Sequence, residues 1–336
     1  MNGQYVGWVG GDDPLHGFLS RLVRDAFGVT GTRLAFRAFR MPGRNEVYAY
    51  EEDGSGARVV CKFYGARFGA NLGRGALMAR REYERLNTLR RYHLVGSPHH
   101  VIRPLGCGRD INAVLAVEYY AGEAFSEAIQ RAVHHGDADH LYWRLTALAF
   151  FLATLHTRTG NGCRVDFNVD CKYFDRLIVQ LRNRDRVSRP DAEQLSMVRE
   201  RWRRRPGMWA DQQVWLHGDA TPGNFLFGSG LDVAAIDLER MRRGDRVFDL
   251  GRVAGELQHA FMLCVGDRHR AEPFLGHFLW EYSCHFPDRG QTFDSITARV
   301  PYYLALNMLR IARNDYLDAD YARRLLRRAG TLLQAA

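Results

Sequence analysis

Lysine is almost missing from this sequence. Only Lys62 and Lys172 stand among the 47 basic side chains; the other 45 are arginine. GC-rich coding accounts for such a bias, and it makes the place of each lysine informative. Paired cysteines are missing too. Cys61, Cys107, Cys163, Cys171, Cys264 and Cys284 include no CxxC pair, which argues against a zinc ribbon or a thioredoxin-like site. Scattered through 336 residues, they do not read as a disulfide framework. No long hydrophobic run occurs. The stretch Leu145 to Leu155 is broken by threonines and falls short of the roughly 20 residues that span a bilayer. Met1 to Gly11 has neither the basic start nor the apolar core of a signal peptide. The expectation is a soluble, cytoplasmic protein.

What is present is globular. Hydrophobic residues make up 46% and charged residues 25%, values that exclude a disordered chain. The length suits one large domain or two ordinary ones, with a core that needs no staples. A net charge of +9 raises the question of nucleic acid. Arginines gather at 182, 184, 186 and 189, at 199, 201 and 203–205, and at 323, 324, 327 and 328. No helix-turn-helix or RNA-binding aromatic motif accompanies them. They read as solvated faces, able to attract an anionic surface or substrate. A nucleic-acid-binding protein remains the alternative class, marked by steep loss of affinity with salt.

The texture changes along the chain. Pro14 to Phe27 has apolar residues at helical spacing. Arg33 to Phe63 alternates, with turns at Met41 to Asn45 and Glu51 to Gly56, which predicts three antiparallel strands. Ala76 to Tyr92 reads as a helix, and Val101-Ile102 and Val114 to Tyr120 as strands. Beyond Gly122 helices dominate: 137–157, 173–181, 191–203, 248–265, 273–285 and the stretch 300–333. Short apolar pieces at 214–227 and 233–238 interrupt them. The predicted division is residues 1–117, a hinge at 118–122, and a helical part at 123–336.

The chemistry concentrates in Val214 to Phe227, which sets His217, Asp219 and Asn224 in a loop between apolar segments. Asp237 follows in Ala-Ala-Ile-Asp-Leu-Glu. Asn224 and Asp237 are oxygen donors suited to a cation, with the Asp219 carboxylate beside them. Phosphoryl transfer needs such a set: metal neutralises the phosphates, and an aspartate orients the attacking hydroxyl and takes its proton. Mg²⁺ uses few protein ligands and fills its shell with water and phosphate oxygens. Lys62 lies in the apolar strand Val-Val-Cys-Lys-Phe-Tyr, where an ammonium is costly to bury unpaired. Glu82 can meet it from the following helix, with Glu84 as the competing carboxylate.

His-Gly-Asp-x4-Asn followed by Ile-Asp-x-Glu resembles the aminoglycoside phosphotransferase and choline kinase group. The resemblance spans roughly 33–255 and implies an α+β, protein-kinase-like bilobal fold, with a small antiparallel-sheet N-lobe and a mostly helical C-lobe. It implies ATP and Mg²⁺ as cofactors and a small-molecule hydroxyl as acceptor. Asp219 becomes the catalytic aspartate, Asn224 and Asp237 the metal ligands, and Lys62 with Glu82 the phosphate-anchoring pair. The backbone around Glu118 and Tyr120 becomes the adenine-binding hinge. Asp249, in Arg246 to Gly251, becomes a brace for the catalytic loop. The loop over the phosphates is Met-Pro-Gly-Arg-Asn, so Gly43 and Asn45 stand where a full Gly-x-Gly-x-x-Gly is lacking. Gly218 replaces the protein-kinase arginine before the catalytic aspartate. Both departures favour a small-molecule kinase over a protein kinase.

Blander readings stand beside these. His217 and His156 are structural, and a kinase-fold binding protein without transfer activity is the other alternative. Glu239 either supports the metal site or begins a polar loop. Phe274, Phe278, Trp280, Tyr282, Tyr302 and Tyr303 are core or a cation–π site. Arg240 to Arg246 is net basic, which disfavours a polycationic aminoglycoside. A sugar, a lipid-linked saccharide or an already phosphorylated acceptor fits at least as well, and an amino alcohol or an aminoglycoside-like acceptor stays among the alternatives.

Overall fold

Alternation between Phe36 and Phe63 builds strands, and the sheet extends further than that alternation shows. In the computed structural model, which describes residues 3–42, 46–65 and 72–334, the chain separates into two units. The first comprises Met1–Gly96, His100–Gly122 and Ala234–Glu239; the second comprises Ser97–His99, Glu123–Val233 and Arg240–Ala336.

The first unit holds a six-stranded antiparallel sheet. Its order is Gln4–Trp8, Phe36–Arg40, Val47–Glu52, Arg58–Phe63, Val114–Glu118, Pro104–Gly108. The edge strand Gln4–Trp8 escapes sequence reading because its side chains are mostly exposed, so no buried alternation marks it. The Pro14–Phe27 helix starts where the Asp13 carboxylate accepts the Leu15 N–H at 2.9 Å, and it ends at Gly28 with φ 67°. It buries Leu15, Phe18, Leu19, Leu22 and Val23 against Phe36, Tyr50, Val59, Cys61, Val114 and Ala116. Each large apolar side chain so covered contributes about 1.5–3 kcal/mol. Strand residues alternate between faces, so Val59 and Cys61 enter this core and Lys62 points to the other face. The Leu72–Arg90 helix buries Ala79, Glu82, Leu86 and Leu89, one stripe at helical spacing.

The second unit is mostly helical. Val247–Cys264 and Val300–Ala312 are buried over most of their surfaces. A Cβ at Gly251 would collide with Tyr303 and one at Gly255 with Asn307, so these glycines admit the close approach of the two helices. The stretch 300–333 is two helices, Val300–Ala312 and Ala319–Gln334, parted by a turn. Arg289–Thr297, absent from the sequence reading, is a further short helix capped by Asp288. The basic segment 184–203 is interleaved with carboxylates: Arg184 meets Asp315 at 2.7 Å, Arg189 meets Glu193 at 3.0 Å and Arg199 meets Asp175 at 3.2 Å. Phe274, Phe278, Tyr282, Tyr302 and Tyr303 are core, while Trp280 is 41% exposed. No described helix is long and apolar enough to cross a membrane.

Candidate active site

In the first unit Lys62 stands within reach of three carboxylates. Its Nζ lies 3.0 Å from Glu82 Oε2, 2.7 Å from Asp237 Oδ1 and 3.5 Å from Glu239 Oε2. Helical spacing decides between the candidate glutamates. Glu82 shares the buried stripe of Leu86 and Leu89, whereas Glu84 is exposed and pairs with Arg80. The Tyr64 hydroxyl donates to Glu82 Oε2, and Arg85, one turn past Glu82, donates to the Glu239 carbonyl. Burial alone would push the Lys62 ammonium down; Glu82, Asp237 and Glu239 outweigh it and raise it above its ordinary value. Burial raises Glu82, with Asp237 and Glu239 adding to the rise and Lys62 opposing it. Oxygens of Glu82, Asp237 and Glu239 lie within 4.8 Å of one another. Asp237 has φ 58°, a left-handed conformation uncommon outside glycine that concentrates at functional sites.

In the second unit the Val214–Leu216 strand pairs with Arg242–Gly244 and delivers the chain to His217, Gly218 and Asp219. The buried Asp249 carboxylate accepts the backbone N–H groups of His217 at 2.7 Å and Gly218 at 3.0 Å. Gly218 has φ 78°, and a Cβ there would collide with the Arg240 carbonyl, so only glycine admits this turn. Asn224 donates from Nδ2 to the Asp219 backbone carbonyl at 2.8 Å, which ties the Asn224 side chain to the loop that carries Asp219. The Asp219 carboxylate faces Arg240 at 3.4 Å and Arg252 at 3.7 Å. Burial alone would raise Asp219; Arg252, Arg240, Arg310 and His217 hold it below the usual carboxylate range.

A model of the phosphotransferase enzyme family (APH) matches residues 36–278. The chain belongs to that family. Its fold is the α+β, protein-kinase-like one of solved relatives. A Plasmodium vivax ethanolamine kinase is 14% identical, with a TM-score of 0.60, and the match covers 96% of this chain and 89% of that one. A putative fructosamine-3-kinase from Haemophilus somnus is 14% identical, with a TM-score of 0.60 and coverages of 94% and 96%. Choline kinase LicA from Streptococcus pneumoniae is also 14% identical, with a TM-score of 0.55 and coverages of 96% and 100%. At such identities the likeness shows the fold. No curated protein matches the chain significantly.

In this phosphotransferase the Glu118 carboxylate is taken up by the first unit itself. It meets His100 Nε2 at 2.6 Å and accepts the Arg103 N–H at 2.6 Å. The Tyr120 ring packs on His100, with centroids 5.6 Å apart. Gly43 and Asn45 lie outside the described residues. Sequence reasoning missed Tyr64, Arg85 and Arg252. Tyr64 had a signal, since it follows Lys62 by two residues, and Arg85 had one at a helical turn from Glu82. Arg252, one arginine among 45, had none.

The Asp249 brace predicts a pH dependence of stability. Burial alone would raise this carboxyl. The His156 ring, whose Nε2 lies 3.4 Å away, with His217 and the Gly218 amide, holds it below its ordinary range instead. A depressed carboxyl contributes stability that is present above its unfolded pKa of about 4 and lost as pH falls through the folded value. Asp249→Asn is expected to cost about 3 kcal/mol at neutral pH, by urea denaturation. The gap to wild type should narrow as pH falls below about 4. A gap that stays constant with pH contradicts this role.

Proposed function

We propose that this phosphotransferase moves the γ-phosphoryl group of ATP to a hydroxyl of a small molecule, with Mg²⁺ required. The observation that carries the reading is the Lys62 ammonium held between Glu82 and Asp237. A buried lysine so fixed is a point charge for nucleotide phosphates. Asp237 and Asn224 are the residues assigned to the metal. The acidic cluster around Asp237 offers only oxygen donors, which suits a hard divalent cation. Bound Mg²⁺ supplies neutralisation of phosphate charge.

Asp219, ionised at neutral pH, orients the acceptor hydroxyl and receives its proton. The hydroxyl oxygen forms a bond to the γ-phosphorus as the bond to the bridging oxygen of the leaving ADP breaks. With the Glu118 side chain engaged by His100 and Arg103, the backbone through Tyr120 is what the hinge offers adenine. Gly43 and Asn45 are assigned to the loop over the phosphates.

The test is ADP release with Mg²⁺-ATP across sugars, amino alcohols, aminoglycosides and phosphorylated alcohols. Acceptor-stimulated release that EDTA abolishes is the expected result. Tight nucleotide binding with no acceptor raising ADP release would instead make this a binding module.

A further inference from the structure

Beside Asp219, three helices of the second unit bring together more guanidinium than carboxylate. Asn168–Arg182 contributes Tyr173 and Gln180, Val247–Cys264 contributes Arg252 and Glu256, and Val300–Ala312 with its C-cap contributes Asn307, Arg310 and Arg313. Arg310 is satisfied, since it pairs with Glu256 and donates to Asn307 Oδ1 at 2.9 Å. Arg313 donates to the neutral Gln180 Oε1 at 2.6 Å rather than to a carboxylate. Arg252 is 3% exposed. Its Nη1 is buried and makes no hydrogen bond; it faces Asp219 Oδ1 at the ion-pair distance of 3.7 Å.

Burying a guanidinium whose N–H groups lack hydrogen bonds is costly. A structure that only needed packing would place an apolar side chain there. Burial alone would raise the Tyr173 phenol, yet Arg252, Arg310 and Arg313 pull it below its ordinary range. The field at this spot is therefore positive, with Arg240 adding to it 3.4 Å from Asp219. An amine would be repelled. A planar guanidinium with hydrogen-bonding capacity left unfilled matches the oxygens of a phosphate or carboxylate.

We propose that the acceptor is anionic: an alcohol carrying a phosphate or carboxylate within a few bonds of the hydroxyl, with the anion held by Arg252 and Arg313 and the hydroxyl aimed at Asp219. The proposal rests on the phosphotransferase reading and specifies its substrate class. In the transfer step the acceptor gains the phosphoryl group at its hydroxyl oxygen, ADP leaves, and the hydroxyl proton passes to Asp219; the anionic group is unchanged.

Two measurements on the full chain separate the two readings. The first is kcat/KM with Mg²⁺-ATP for matched pairs: glycerol 3-phosphate against glycerol, glucose 6-phosphate against glucose, glycerate against glycerol, with choline and kanamycin as cations. Anionic members should exceed their neutral partners by tenfold or more. Whether phosphates or carboxylates lead identifies which anion is read. The second is thermal stabilisation by glycerol 3-phosphate without nucleotide. Arg313→Gln, at a half-buried position, should abolish that stabilisation and raise KM for the anionic acceptor at least tenfold with a smaller change in kcat; Arg313→Lys should recover part of both. Turnover favouring neutral or cationic acceptors overturns the anionic assignment and leaves the kinase reading standing. Stabilisation by glycerol 3-phosphate without any turnover supports the anion site and overturns the kinase reading. Neither stabilisation nor preference sinks the proposal.

Discussion

Asp219→Asn should leave nucleotide affinity nearly unchanged and lower kcat by roughly a thousandfold, the usual scale for losing a positioned general base. The substitution keeps the shape of the side chain and removes the charge that, in the proposed reaction, receives the proton. The loop itself should survive. Its conformation is held by Asp249 on the His217 and Gly218 amides and by Asn224 on the Asp219 backbone carbonyl, none of which uses the Asp219 carboxylate. Arg252 and Arg240 hold Asp219 below the usual carboxylate range, so in the proposed reaction it would orient the hydroxyl and accept the proton late, as bond formation acidifies it. Stopped-flow transfer rates and calorimetric ATP titrations, taken on the same preparation, check both halves. A variant with near-wild-type kcat means the proton goes elsewhere.

Lys62 carries the second large effect, and it divides into two. Lys62→Met leaves Glu82, Asp237 and Glu239 facing one another around an apolar end. Breaking a buried ion pair by removing one partner costs about 3–5 kcal/mol, and denaturant unfolding should register that loss at neutral pH. The sign with pH follows from Glu82. Burial raises its carboxyl, and Lys62 is the main group opposing the rise, so without Lys62 it climbs further. A raised carboxyl stabilises the fold at pH below its unfolded value and loses that contribution as pH rises through the folded one. Wild-type Glu82 is itself raised to about 7, so the gap to wild type should widen as pH rises past that value. Lys62→Arg keeps the charge, so it should cost less stability than Lys62→Met. It should still weaken ATP binding, because a planar fork replaces a compact ammonium among three carboxylates and the Tyr64 ring, whose centroid is 5.0 Å away. Undiminished transfer by Lys62→Arg would show that the rarity of lysine carried no information here.

The elements that alternate or repeat strongly were legible. The strands from Phe36 to Phe63, the Pro14–Phe27 helix and the buried helix at 247–264 all follow from apolar spacing. Gln4–Trp8 was not, because an edge strand with exposed side chains carries no burial pattern. The turn between Val300–Ala312 and Ala319–Gln334 was blurred because apolar residues continue on both sides of it.

The same division runs through the candidate site. Sequence alone determined the inventory: a lone strand lysine, His-Gly-Asp-x4-Asn, and Ile-Asp-x-Glu. Such motifs are local, since the residues act through one loop or one strand end. Tertiary structure decided the choices among equivalents. Glu82 meets Lys62 while Glu84 meets Arg80, because only the first lies on the buried stripe. Glu239 joins the acidic cluster because the segment Ala234–Glu239 packs within the first unit. Arg252 is buried beside Asp219 on the helix whose Gly251 and Gly255 admit the close approach of Val300–Ala312. Burial and partners are properties of the packed chain, and they alone distinguish one arginine from another.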